Sequence, residues 1–68
     1  MIKSKFGAKL KSLRQQRGIS QEQLALSIDM DRTYYASVEN GKHNISLINI
    51  EKIASGLNIS LKELFDGV

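Results

Sequence analysis

The reading of this chain turns on Ser20-Gln21-Glu22-Gln23-Leu24-Ala25-Leu26-Ser27-Ile28-Asp29-Met30-Asp31-Arg32-Thr33-Tyr34-Tyr35-Ala36-Ser37-Val38-Glu39-Asn40-Gly41-Lys42. Ser20 and Asp31 stand where helix N-caps belong, with a side-chain oxygen able to accept from an orphan backbone N–H. Ile19 before the first cap pairs with Leu24, and Met30 before the second pairs with Tyr35. These are hydrophobic staples, and Gln23 completes a capping box with Ser20. The stretch therefore predicts two short helices joined by a tight turn around Asp29-Met30. The second begins at Arg32, runs for about two turns, and is closed by Gly41 as a left-handed cap.

The same grammar recurs downstream. Ser46 is flanked by Ile45 and Ile50, and Ser60 by Ile59 and Leu64, with Glu63 completing a second capping box. Upstream, Phe6, Leu10 and Leu13 mark one face of a helix from about Lys3 to Arg17 that Gly18 stops. Gly56 is expected to close the fourth helix as Gly41 closes the third. With no proline, five glycines and no strand-like alternation, the chain reads as an all-α, compact five-helix domain. The expected core is Leu24, Ala25, Ile28, Tyr35, Val38, Leu47, Ile50, Ala54, Leu57, Leu61, Leu64 and Phe65, with Ile53 also on the inward arc.

Sixty-eight residues leave room for one domain, 1–68, and a core this small is marginal alone, so association would help it. Cysteine is absent, which excludes disulfides and thiolate metal sites. His43 is the single histidine and has no second His or carboxylate set to make a metal or catalytic site. Enzyme chemistry finds no nucleophile–base pairing and no phosphate-cradling glycine loop. No cofactor, metal or small-molecule ligand is expected. The basic N-terminus lacks a following apolar run, and nothing reaches the roughly 20 apolar residues of a membrane span. A cytoplasmic protein with no membrane partner is expected.

The net charge of +3 is mild but lopsided: six of the ten Lys and Arg residues fall in the first seventeen positions, which hold no acid. Such a flank suits a row of phosphates, although a solvated amphipathic helix has the same pattern. The third helix is more specific. With Tyr35 and Val38 facing the core, Arg32, Thr33, Tyr34 and Ser37 project outward near its N-terminal half. Arginine can donate two bonds to guanine, and threonine offers a hydroxyl and a methyl group. Serine and tyrosine hydroxyls reach base edges or phosphates. These four are the candidate base contacts. Gln21, in the first turn of the second helix, and the polar loop of Asn40, Lys42, His43 and Asn44 are candidates for holding the DNA backbone. Arg14 and Glu39 are expected to form a partly buried ion pair that orients the third helix without touching bases.

Together these residues resemble the phage-repressor-like helix-turn-helix family over about Leu10 to Phe65. The resemblance rests on Ser20-Gln21, Leu24-Ala25, the turn at Asp29-Met30 and Glu39-Asn40-Gly41-Lys42. Within that family the chain is most similar to the controller proteins of bacterial restriction–modification systems. Asp31-Arg32-Thr33-Tyr34, Asn44-Ile45-Ser46-Leu47, Ile53-Ala54 and Ser60-Leu61-Lys62-Glu63-Leu64-Phe65 carry that closer likeness. The resemblance implies a homodimer on operator DNA that activates its own gene and an endonuclease gene at low dose and represses at high dose. Arg32 would then read guanine, Thr33, Tyr34 and Ser37 would share base and phosphate contacts, and Gln21 and Asn44 would hold the backbone. Tyr35 and His43 depart from the family pattern, where an aliphatic residue and an arginine are common. An antitoxin or a phage-type repressor of the same fold is the alternative reading.

A symmetric dimer is expected through Ile48, Ile59 and Phe65, since Ile48 falls on the outer side of the fourth helix. It would set two recognition helices roughly 34 Å apart, one turn of DNA. Leu26, outward-facing with Glu22 nearby, makes RNA polymerase a further candidate partner.

Overall fold

The computed structural model describes all residues from Met1 to Val68. It contains α1 (Ile2–Gln16), α2 (Gln21–Ser27), α3 (Arg32–Glu39), α4 (Leu47–Leu57) and α5 (Leu61–Phe65), and no strands. Local chemistry sets every start after the first. The side chains of Ser20, Asp31, Ser46 and Ser60 accept from the backbone N–H of Gln23, Tyr34, Asn49 and Glu63 respectively. Both capping boxes are complete, with Gln23 and Glu63 reaching back to the Ser20 and Ser60 N–H groups. Each staple closes inward: Leu24, Tyr35, Ile50 and Leu64 are buried, and Ile19, Met30, Ile45 and Ile59 pack against them.

Eleven residues form one hydrophobic cluster: Phe6, Leu10, Leu24, Ala25, Tyr35, Val38, Ile50, Ile53, Ala54, Leu57 and Leu64. Helix α1 packs on α3 and α5, while α2 packs on α3 and α4. The α2–α3 hairpin is thereby held from both sides. Phe65 leaves the interior only in part, stacked on Phe6 with ring centroids 5.2 Å apart. Asp29, with φ of 54°, makes the turn between α2 and α3.

Three expectations need correction. Gly56 does not cap α4; it lies inside the helix, and Asn58 takes the left-handed position with φ of 57°. Asparagine tolerates that conformation, and the bare Cα of Gly56 instead admits the side chains of Ile28 and Leu24. Leu47 and Leu61 are not core residues, being 84% and 48% exposed. Each is the first residue after a capping serine, the position that Gln21 and Arg32 hold in α2 and α3. That position projects off the helix start, so the core side is taken by the staple residue before the cap. Arg17 does not join a free basic flank either. Its guanidinium donates to the Leu57 carbonyl at 3.0 Å and the Leu13 carbonyl at 3.1 Å, satisfying an orphan C=O at the end of α4.

Candidate nucleic-acid interface

Helix α3 buries one side completely. Tyr35 and Val38 are at most 1% exposed, and Glu39 is buried at its C-terminal end. Thr33 and Ser37, one turn apart, therefore share the opposite face, with Arg32 and Tyr34 on its flanks. Arg32 and Thr33 are exposed, while Ser37 and Tyr34 are half-buried. Arg32 is held only by a loose 3.7 Å approach to Glu22 on α2, with both side chains largely in solvent. Asn40, Lys42, His43 and Asn44 are all exposed and continue the polar surface beyond the C-terminus of α3. Lys3 from the start of α1 lines the same cleft as His43 and Asn44. Of the basic residues in α1, Arg14 alone is withdrawn from solvent.

That withdrawal builds the support under α3. The Arg14 Nε donates to Glu39 Oε2 at 2.7 Å and its Nη2 to Oε1 at 3.2 Å, a two-pronged pair whose side chains are 11% and 1% exposed. Arg14 Nη1 also donates to the Ile19 carbonyl at 2.8 Å, tying α1 to the entry of α2. Glu39 then accepts from the Tyr35 hydroxyl at 2.6 Å and from Gln21 Nε2 at 3.0 Å. One carboxylate thus joins α1, α2 and α3. Burial alone would raise the Glu39 pKa, but the bonds from Arg14, Tyr35 and Gln21 outweigh it and hold the carboxyl below its ordinary range. The bond to Glu39 raises the Arg14 pKa against the opposing effect of burial. Burial, and then the bond to Glu39, push the Tyr35 phenol well above its usual value. Every member of the network stays in its hydrogen-bonding charge state at neutral pH.

The structure thus brings Arg32, Thr33, Tyr34 and Ser37 to one surface with the loop of Asn40, Lys42, His43 and Asn44. Gln21, in the first turn of α2, sends its side-chain amide inward, Nε2 donating to Glu39 Oε1 at 3.0 Å. Tyr34 is also held within the protein. Its hydroxyl accepts from Asn49 Nδ2 at 3.3 Å and its ring meets His43 edge-on at 5.0 Å. Asn49 and the hydroxyl of Tyr35 carry contacts that the sequence pattern did not mark. A tyrosine at a core position four residues before a glutamate was the available signal for the second.

Next to the cleft of Lys3, His43 and Asn44, and sharing Ile50 and Phe65 with it, Leu47, Ile48, Ile50, Glu51, Leu61 and Phe65 line a shallow groove between α4 and α5. Ile48 is 70% exposed and Phe65 is 40% exposed. Ile59 is not with them, because it is a staple residue packed on the core; Leu47 and Leu61 fill that place in the patch. No helix is long and apolar enough to cross a membrane.

A helix-turn-helix family model matches residues 10–64. The control protein C.MunI of Mycoplasma sp is 57% identical over 68 residues, covering 98% of this chain and 92% of that protein. Among solved structures, the restriction-modification controller protein C.AhdI from Aeromonas hydrophila superposes with a TM-score of 0.89 at 48% identity, over 91% of this chain and 94% of that one. The controller protein C.Esp1396I, solved as a tetramer in complex with its natural 35 base-pair operator, superposes with a TM-score of 0.86 at 33% identity, over 93% of this chain and 83% of that one.

Proposed function

Since the chain belongs to the helix-turn-helix family and, within it, to the restriction–modification control proteins, we propose that it is an autoregulatory transcription factor that binds operator DNA as a homodimer in the cytoplasm. It would act on its own gene and on the gene of a neighbouring endonuclease. The observation that carries this reading is the N-terminal half of α3, where Arg32 and Thr33 stand exposed on a helix whose other side is fully buried. A helix so held can enter a major groove without rearranging its own support. In this reading Arg32, Thr33, Tyr34 and Ser37 meet base edges. Lys42, His43, Asn44, Asn40 and the start of α2 around Gln21 meet phosphates. Leu26 and Glu22, on the exposed side of α2, are left free for RNA polymerase.

The test is a gel-shift titration against the DNA immediately upstream of the protein's own gene. Wild-type protein should give cooperative, sequence-specific shifts whose affinity falls steeply as salt rises, through release of counterions. Arg32→Ala should weaken the specific shift by roughly 10- to 100-fold, the loss of one bidentate base contact. No specific shift at low salt would refute the operator reading.

The dimer has its own test. The α4–α5 groove presents Leu47, Ile48, Leu61 and Phe65 to solvent, and two copies related by a two-fold axis would cover it with the same groove. Ile48→Lys would put a charge into that contact without touching the core. Sedimentation should show wild-type dimer at micromolar concentration and a shift toward monomer in the variant, with the thermal melt of the monomer retained. Wild-type protein that stays monomeric both free and on DNA would refute the dimer.

A further inference from the structure

Tyr34 is the residue on the α3 surface whose hydrogen bonding is already half spent inside the protein. Its ring sits on the core's edge, between the loop after α3 and the start of α4. His43 presses on it edge-to-face, with 70° between the ring planes. From the other side, Asn49 Nδ2 donates to the phenolic oxygen at 3.3 Å. Asn49 is well placed to do this. It is the third residue of α4, its backbone N–H is fixed by the Ser46 hydroxyl at 3.1 Å, and its side chain is half-buried.

A phenol carries one proton to donate and lone pairs with which to accept. Left to itself, a tyrosine at a groove is amphoteric and can meet either kind of base edge. Here the accepting side is occupied by the amide of Asn49, and the hydroxyl makes no donation within the protein. Its proton is therefore the part directed outward. We infer that Asn49 is a positioning residue that makes Tyr34 a hydrogen-bond donor toward DNA. Tyr34 then selects the acceptor edges of bases, such as guanine O6 and N7 or thymine O4, over the amino groups of cytosine and adenine. The inference rests on the operator-binding reading above and adds a residue outside the recognition helix to the determinants of specificity.

Four proteins and two readouts test it: wild type, Tyr34→Phe, Asn49→Ala and the double variant, titrated on the upstream operator fragment and on unrelated duplex. Asn49→Ala retains the backbone cap to Ser46, so thermal melts should stay close to wild type. Each single variant should weaken operator binding by about 3- to 10-fold, the size of one net hydrogen bond, with little change on unrelated duplex. The double variant should be no weaker than Tyr34→Phe, because the amide acts only through the hydroxyl. A second experiment distinguishes steering from mere support. Asn49→Asp places a carboxylate, favoured near a helix N-terminus, where the amide donor was, and so turns the Tyr34 proton inward. Selection from a randomised duplex library should then change the preferred base at one half-site position, from an acceptor edge to an amino-bearing one. The rest of the selected site should match that of wild type.

Additive losses from Asn49→Ala and Tyr34→Phe, or an unchanged base preference in Asn49→Asp, would overturn the inference while leaving the operator reading intact. Failure of wild-type protein to select any site would overturn both.

Discussion

Glu39→Ala is expected to lower the stability of the protein by about 3–5 kcal/mol, the range for removing one partner of a buried ion pair. Three donors lose their acceptor at once: the Arg14 guanidinium, the Tyr35 hydroxyl and the Gln21 amide. The arginine is the worst placed, because it is buried in α1 with only the Ile19 carbonyl left to accept from it. A chain of 68 residues commonly has about 3–10 kcal/mol in total, so the variant should be near its threshold at physiological temperature. By the usual scaling for small domains the melting temperature should fall by roughly 15–30 °C. Circular dichroism melts and urea titrations measure this directly. Tyr35→Phe should lose only about 1.5–3 kcal/mol, because Glu39 then keeps Arg14 and Gln21. A coupling energy near zero in a double-mutant cycle between Arg14→Ala and Glu39→Ala would show that the pair contributes nothing to the fold.

The same network sets an acid limit. Glu39 has its folded pKa below the unfolded one, so its contribution is fully present above the unfolded carboxylate value of about 4.3. It is lost as pH falls from there through the folded pKa, when the unfolded state takes up the proton first. Melting temperature should therefore be nearly flat near neutrality and drop below about pH 4.3. The Glu39→Ala protein, already short of this stabilisation, should lose that part of the acid dependence. The functional consequence follows from geometry. Glu39 is the last residue of α3, and the bonds that hold it reach α1 and α2, so its loss frees the helix that presents Arg32 and Thr33.

Helix starts were legible in the sequence because capping is local: a serine or aspartate, an apolar residue before it and another four positions into the helix lie within seven residues. Ser20, Asp31, Ser46 and Ser60 all act as that pattern predicts. The errors fall where the answer depends on a distant neighbour. Helical period points Leu47 and Leu61 toward the core side, but no element lies beyond the first turn of α4 or α5 to cover them. Gly56 has the composition of a cap, yet what requires it is Ile28 arriving from α2. The pairing of Arg14 with Glu39 was readable because both lie on the apolar edge of their helices. The Gln21 bond to the same carboxylate was not, since the first residue of a helix carries no periodic mark of what it faces. Asn49 escaped for the same reason: its partner is fifteen residues away on another helix.

Gly7→Ala is expected to destabilise the protein by about 3 kcal/mol, the upper end of ordinary overpacking, against the sign that helix propensity alone would give. Within an exposed helix, alanine is favoured over glycine by roughly 0.5–1 kcal/mol. Gly7, however, is buried in the middle of α1 where that helix crosses the end of α3. A methyl group there would meet the main-chain carbonyl oxygen of Glu39 in direct collision and that of Val38 at 2.7 Å. Neither obstacle is the tip of a flexible side chain. Relief requires α1 and α3 to move apart, and their separation stretches the Arg14–Glu39 bonds that lie along the same contact. Gly56→Ala supplies the comparison. Its new methyl group would meet side-chain atoms of Ile28 and Leu24, and Ile28 is only half-buried, so it can turn away. Urea titrations of the two variants should rank Gly7→Ala well below Gly56→Ala, and both below wild type. A Gly7→Ala protein as stable as wild type would mean that α1 and α3 do not meet at this glycine, and the carboxylate network that depends on their approach would have to be redrawn with it.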